Sequence, residues 1–410
     1  MEFTLDNGLR VVHMFDGDTA TVVLTVLYDT GARDENPDRT GMAHLFEHLM
    51  FGGSVNVPDF DRTLDAAGGS NNAFTSSDFT VFYDVVPAAN AETAFYVESD
   101  RMLGLAFSDR ALEVQRSVVI EEFKETCLNR PYGGVSHALR PLLYDSHPYR
   151  WPVIGVCPGH IAAVEQDDVR RWFYAHYAPN NAVLSIVGNI SEERARALAG
   201  KYFGGIPSRD IEPRQLLDDP WLTDGRAVTI HDNVPQTLIA MAFRMDPYGT
   251  RGYYAADAIT DILSAGRSSR LFQRLVMGSG LFTAADASIS GSEHSGYLIL
   301  TGRVTSEADA DIDRARAMLM EQARMLAGDD PVTPYELERT KNRFEATTRY
   351  ENMNLTALGT NLAKAVYHGE TLDTPIALYR SLTEADIATE ACRIFIDHAP
   401  ATVLCRPSGT

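Results

Sequence analysis

The chain has 410 residues, 45% of them apolar and 22% charged. That is the composition of an ordinary globular protein, with length for two or three domains. Its 36 Lys and Arg face 56 Asp and Glu, a net charge of −20. This opposes the counterion release that nucleic acids and anionic membranes reward, so neither is expected as a partner. No apolar run approaches the roughly 18 to 20 residues that span a bilayer, and a soluble protein is expected. Four cysteines, Cys127, Cys157, Cys392 and Cys405, show no CxxC spacing, so neither a thiolate metal site nor a disulfide framework is indicated.

In chain order, MEFTLDNGLRVV alternates like a strand around an Asn-Gly turn and lacks the basic-then-apolar pattern of a secretory leader. The compartment stays open, cytoplasmic or, in a bacterium, periplasmic. Strand-like runs continue to about residue 30, then a polar loop leads into a helix from Met42 to Phe51. A turn-rich strip through Gly68, Gly69 and Asn71 precedes the alternating run FTVFYDVV, and helices fill most of 90–130. Near 165–205 come a helix, the strand AVLSIVG and another helix. Residues 207–224, rich in Pro and Asp, have the composition of an interdomain linker. The order then repeats through strand runs AVTIHD and TLIAMAFRM, helices, strands to Val304, long helices to about 365, and a last helix and strand. YAPNNAVLSIVG and HAPATVLCRP occupy corresponding places in the two halves. The expectation is an α+β chain of two related domains of about 200 residues, each a mainly antiparallel sheet packed with helices. Their bounds are 1–206 and 225–410, joined by 207–224.

The sharpest local signal is HLFEH, residues 44–48, in a helical stretch. Residues four apart stack on one helix face, so His44 and His48 can turn two imidazole nitrogens toward one ion, with Glu47 beside them. Two imidazoles and a carboxylate form a zinc set with a place left for water, and an unligated carboxylate nearby can take that water's proton. This residue order is a known zinc hydrolase motif. The plainer alternative is a helix face whose histidines make ordinary polar contacts. A third ligand is sought in QRSVVIEEFKE among Glu121, Glu122 and Glu125. Helical periodicity sets Val118, Glu122 and Glu125 on one side and Glu121 about 100° away from Glu122, which favours Glu122.

HLFEH, the GGSNNAFTSSD strip at 68–78 and RSVVIEE together resemble the pitrilysin/insulinase family of zinc peptidases, particularly its short members related to the mitochondrial processing peptidase. FTLDNGLRVV, TGMAHLFEHLMFGGS, YAPNNAVLSIVGNI, GRSSRLFQRL and TPYELERTKNRFEA stand in family order, so the resemblance runs nearly full length. It implies one zinc ion per chain on His44, His48 and Glu122, with Glu47 as general base of a metalloendopeptidase. It implies an edge strand through Asn72, Ala73 and Phe74 that pairs with extended, unfolded peptide substrates. Seven residues before Glu122 the family commonly has a supporting Glu, whereas this chain has Gln115; an amide still hydrogen-bonds, so adjustment rather than loss of zinc is expected.

Relatives often carry an Arg and a Tyr, seven apart, in the second half, but the matching stretch here reads VMGSGLFT, residues 276–283. Arg270 and Arg274 lie earlier, and Phe282 is one place from the Tyr position. The expectation is the zinc subunit of a heterodimer, with a homologous noncatalytic partner donating the Arg/Tyr pair; a homodimer is the second choice. The competing function is a noncatalytic or structural core-type subunit of the same family.

Overall fold

The apolar runs assemble into two sheets of one plan. In the computed structural model, which describes residues 1–409, the first sheet comprises β1 (Glu2–Thr4), β2 (Arg10–Phe15), β3 (Thr21–Tyr28), β4 (Ser70–Thr75), β5 (Thr80–Pro87) and β6 (Ala182–Gly188). Their order is β1-β2-β6-β3-β5-β4, parallel only where β2 meets β6. The second comprises β7 (Arg226–Asp232), β8 (Leu238–Met245), β9 (Phe282–Ser290), β10 (Gly296–Val304) and β11 (Ala401–Pro407). Its order is β7-β11-β8-β10-β9, parallel only where β7 meets β11. Without β1, the first order becomes the second when every strand number is raised by five. The fold is α+β with two related sheets packed by helices, as the repeated element order suggests.

β3 and β6 are buried almost end to end, because helices cover both faces of the first sheet. One face carries the main core, to which the Met42–Leu49 helix contributes. The other is covered by the Leu355–His368 helix, whose Leu362, Ala363 and Val366 pack with Val12, Leu27, Val81, Val183 and Val187. That helix approaches closely at Gly359, where a Cβ would lie 2.7 Å from the Thr25 hydroxyl. In the second sheet, the Val135–Leu143 helix packs Leu139 and Leu143 with Ala240, Ala242, Ala401 and Val403.

The chain's division into compact units is therefore not a single cut. Unit 1 contains Met1–Phe123, Pro152–Gln215 and Thr348–Leu372, while unit 2 contains Lys124–Trp151, Leu216–Thr347 and the chain from Asp373 onward. Bounds at 206 and 225 follow the strands but leave two helical segments, 124–151 and 348–372, with the wrong sheet. The apolar stripe of each matches a sheet face that is distant in sequence. Among the described residues no helix is long and apolar enough to cross a membrane.

Residues 207–222 form neither helix nor strand, yet they are anchored. In unit 1, Arg209 donates to the carbonyls of Phe173 and Tyr177 at 3.0 and 2.8 Å, and Arg214 pairs with Asp29 and Asp34. In unit 2, buried Asp219 accepts from the backbone N–H groups of Asp145, Ser146 and His147 at 2.8 to 3.1 Å and from the Ser146 hydroxyl. Burial raises the Asp219 pKa, but these donors outweigh it and hold the carboxyl below the usual carboxylate range. Its stabilisation is therefore complete above the unfolded-state pKa of about 4 and fades as pH falls through the lower folded value. Asp219→Ala should cost about 2 kcal/mol at pH 7, with the gap to the parent narrowing below about pH 4. Thermal melts at a series of pH values check both.

Candidate metal centre

The Met42–Leu49 helix has two chemically distinct faces. Met42, Leu45, Phe46 and Leu49 are buried in the core, the i, i+3, i+4, i+7 spacing of a helix seam. Phe46 stacks into a cluster with Tyr177 and Phe173, at ring distances of 4.4 and 6.2 Å. His44, Glu47 and His48 fall on the other side and are half-buried. The helix begins at Gly41 with φ 86°, a left-handed conformation where a Cβ would meet Ile161 Cδ1 at 2.5 Å and the Ile154 carbonyl at 2.8 Å. Buried Glu35 holds this start, accepting from Gly41 N at 2.9 Å and Ala43 N at 2.8 Å, a carboxylate placed at the positive end of the helix dipole.

Glu122 comes from the Asp109–Phe123 helix. Its Oε2 lies 3.5 Å from His48 Nε2 and 3.8 Å from His44 Nε2, and one donor atom from each residue falls within 4.8 Å of the others. Among the described residues this is the one such group of His, Cys, Asp and Glu donors. Glu121 is exposed, and Glu125 lies in the π-helical turn Lys124–Asn129; neither joins it.

The donor chemistry fits zinc. Ligands about 2.0 to 2.1 Å from a tetrahedral ion stand about 3.3 Å apart, close to the two distances above. Burial, then the neighbouring His48, brings the His44 pKa down to about 4, so its imidazole is neutral and able to ligate at pH 7. His44 Nδ1 is buried without a protein hydrogen-bond partner, so the ring's tautomer is set by what Nε2 binds. Burial lifts Glu47 to about 7; a hydrogen bond from Thr75 opposes this and the Glu122 charge adds to it.

Thr75 ends β4, the sheet's edge strand, and its hydroxyl donates to Glu47 Oε2 at 2.5 Å. Along β4, Asn71, Ala73 and Thr75 are half-buried while Asn72 and Phe74 are exposed. The Asn72 side chain accepts from the adjacent Ala73 N–H at 2.8 Å. His44, Glu47, His48, Glu122 and Gln115 share with this strand a cavity of about 690 Å³, which also reaches Phe51 and Asp61. Sequence reading passed over three residues here: Glu35, Thr75 and Asp61. Thr75 was within reach, since alternation from Ala73 puts it on the same face; Glu35 and Asp61 come from loop and helix packing that no periodicity encodes.

In unit 2 the aromatic and basic residues around 276–283 are committed elsewhere. Phe282 is 3% exposed within the core, so it offers no ring outward. Arg270 is buried against Glu336 and the Asp330 and Pro331 carbonyls, and Arg274 pairs with Asp330 at 2.6 Å. All four cysteines are free thiols.

Residues 10–142 match the family described as Insulinase (Peptidase family M16), and residues 163–344 match the Peptidase M16 inactive domain. The chain belongs to this pitrilysin/insulinase family of peptidases. It is 29% identical over 279 residues to the zinc protease PqqE of Helicobacter pylori, covering 67% of this chain and 63% of that relative, less than two thirds of its length. It is 26% identical over 347 residues to the uncharacterized zinc protease YmxG of Bacillus subtilis, covering 84% and 82% of the two chains. A crystal structure of a protease from Helicobacter pylori has the same fold, with a TM-score of 0.91 at 24% identity and 99% of each chain covered.

Because Glu35 sets where the helix starts, Glu35→Ala should weaken zinc binding about tenfold while Glu35→Gln recovers part of the loss. Competition with a metallochromic chelator measures it.

Proposed function

We propose that the chain is a zinc-dependent endopeptidase acting on unfolded peptides, with His44, His48 and Glu122 as ligands and Glu47 as general base. The observation that carries this reading is a three-donor set matching one tetrahedral ion, beside a carboxyl held near 7, in a cavity bordered by an edge strand. A structural zinc site is usually closed by four protein ligands, whereas three leave a position for chemistry. A bound zinc ion supplies Lewis acidity, polarising an amide carbonyl and acidifying water.

The protein's own groups do the rest. Glu47 accepts a proton from the attacking water and returns it to the leaving amine. The Thr75 hydroxyl fixes one carboxylate oxygen, leaving Glu47 little freedom to turn away. The open edge of β4, around Asn72, Ala73 and Phe74, pairs with the backbone of an extended peptide, which favours unfolded substrates over folded ones. Gln115, on the wall with Glu122, supports the ligand's surroundings as an amide.

The absence of an Arg/Tyr pair at 276–283, with Arg270, Arg274 and Phe282 already engaged, supports a heterodimer in which a homologous subunit donates that pair. A homodimer is the second arrangement.

Zinc analysis should give one equivalent per chain. Glu47→Gln should keep that zinc and lose at least about a hundredfold in turnover, while His44→Ala should lose the metal. Metal content and digestion of a mixed peptide library, with and without chelator, check these outcomes. Parent-rate cleavage by Glu47→Gln would remove Glu47 as base. Zinc without hydrolysis, even with a co-expressed homologue, would favour a noncatalytic or core-type subunit. Full activity from an isolated monomer would exclude an obligatory partner.

A further inference from the structure

β4 presents its inward side chains to three different neighbours. Thr75 meets Glu47, Ala73 packs against the core, and Asn71 donates from Nδ2 to Asp61 Oδ1 at 2.9 Å. β5 occupies one side of the strand, and the cavity runs along the other. A peptide added to that edge has the same alternation and a rise of about 3.3 Å per residue. Its inward side chains therefore fall opposite Thr75, Ala73 and Asn71 in turn. The one opposite Asn71 lies about 13 Å along the strand from the one beside Glu47, and it faces Asp61.

Asp61 is exposed in the first turn of the Phe60–Ala66 helix. The loop leading to that helix is pinned by Asp100, which accepts from Ser54 Oγ, Asn56 N, Asn56 Nδ2 and Val57 N at 2.6 to 3.1 Å. Asp61 is thus held at a fixed height along β4. Asn71, which engages one of its oxygens, is neutral, and no lysine or arginine lines the cavity among the described residues. The wall leaves this carboxylate for a cation brought by the substrate. Glu47 and Glu122, the other two acids there, already have roles in the reaction.

We propose that Asp61 is a specificity-determining residue that selects a lysine or arginine of the substrate at one position, about four residues along the bound strand from the residue beside Glu47. This rests on the peptidase reading above. The neighbouring substrate positions point to the Asn72 and Phe74 side, where the nearby charge is the Lys364 ammonium, 5.9 Å from the Phe74 ring centroid, and not a carboxylate.

The test uses the full chain loaded with zinc and, if activity requires it, its homologous partner. A neutral peptide with one defined cleavage site carries a single Lys, Gln or Glu walked through each position, and cleavage is followed by mass spectrometry. The ratio of kcat/KM for the Lys peptide to that for the Glu peptide should exceed one by about three- to fivefold at a single position three or four residues from the cleaved bond. It should fall to about one in Asp61→Asn and invert in Asp61→Lys. A ratio within each variant is unmoved by a general loss of activity. The same ratio in all three proteins, or a preference spread evenly over the positions, overturns the assignment while the peptidase reading stands. Failure of the parent to cleave any peptide removes both.

Discussion

The site depends on a helix of eight residues that cannot roll. Burying Met42, Leu45, Phe46 and Leu49 is worth roughly 6 to 12 kcal/mol at about 1.5 to 3 kcal/mol each, and Gly41 and Glu35 hold the helix start. With about 100° per residue, the buried seam dictates where His44, Glu47 and His48 point. Turning the helix by one position would expose the seam and bury two imidazoles and a carboxyl. The orientation of the chemistry is a by-product of the hydrophobic core, and zinc binding need not supply it.

A second constraint lies beneath the cavity. Arg101 is fully buried, with its guanidinium 4.2 to 5.1 Å from the rings of Phe51, Phe60 and Phe82 and paired with Glu98. Asp84 on β5 is also buried, and burial, with the nearby Glu98 charge adding to it, pushes its pKa well above the ordinary carboxylate value. Such a group of charges contributes little net stability, since its desolvation cost is close to its mutual attraction. It joins β5 and the Ala91–Leu103 helix to the rings of Phe51, Phe60 and Phe82, of which Phe51 lines the cavity.

The two sheets share a plan but not a chemistry. In unit 2 the residues nearest the expected Arg/Tyr positions serve packing: Phe282 fills the core and Arg270 neutralises Glu336, holding that carboxyl down at about 2. Internal pairing is strong there, and among the described residues the one convergent group of His, Cys, Asp and Glu donors lies in unit 1. The helices that cross the sequence midpoint complete each sheet's second face, so neither contiguous half supplies all of the elements of its own compact unit.

The strand runs, the duplicated order and the His-x-x-Glu-His spacing were legible in the sequence because each is a local periodicity of 2 or about 3.6 residues. Helical arithmetic set Glu122 and Glu125 apart from Glu121, the family resemblance pointed to Glu122, and Glu122 is the one that lies beside both imidazoles. Contacts between separate elements were not legible. Thr75 on Glu47, Glu35 on the helix start and Asp61 on Asn71 join separate elements, and the helices Val135–Leu143 and Leu355–His368 cover sheets whose strands are far away in sequence. The composition of 207–224 suggested a plain tether, but three side chains anchor it through partners 32 to 185 residues away. A sequence specifies which faces are apolar or charged, whereas only close packing decides which faces meet.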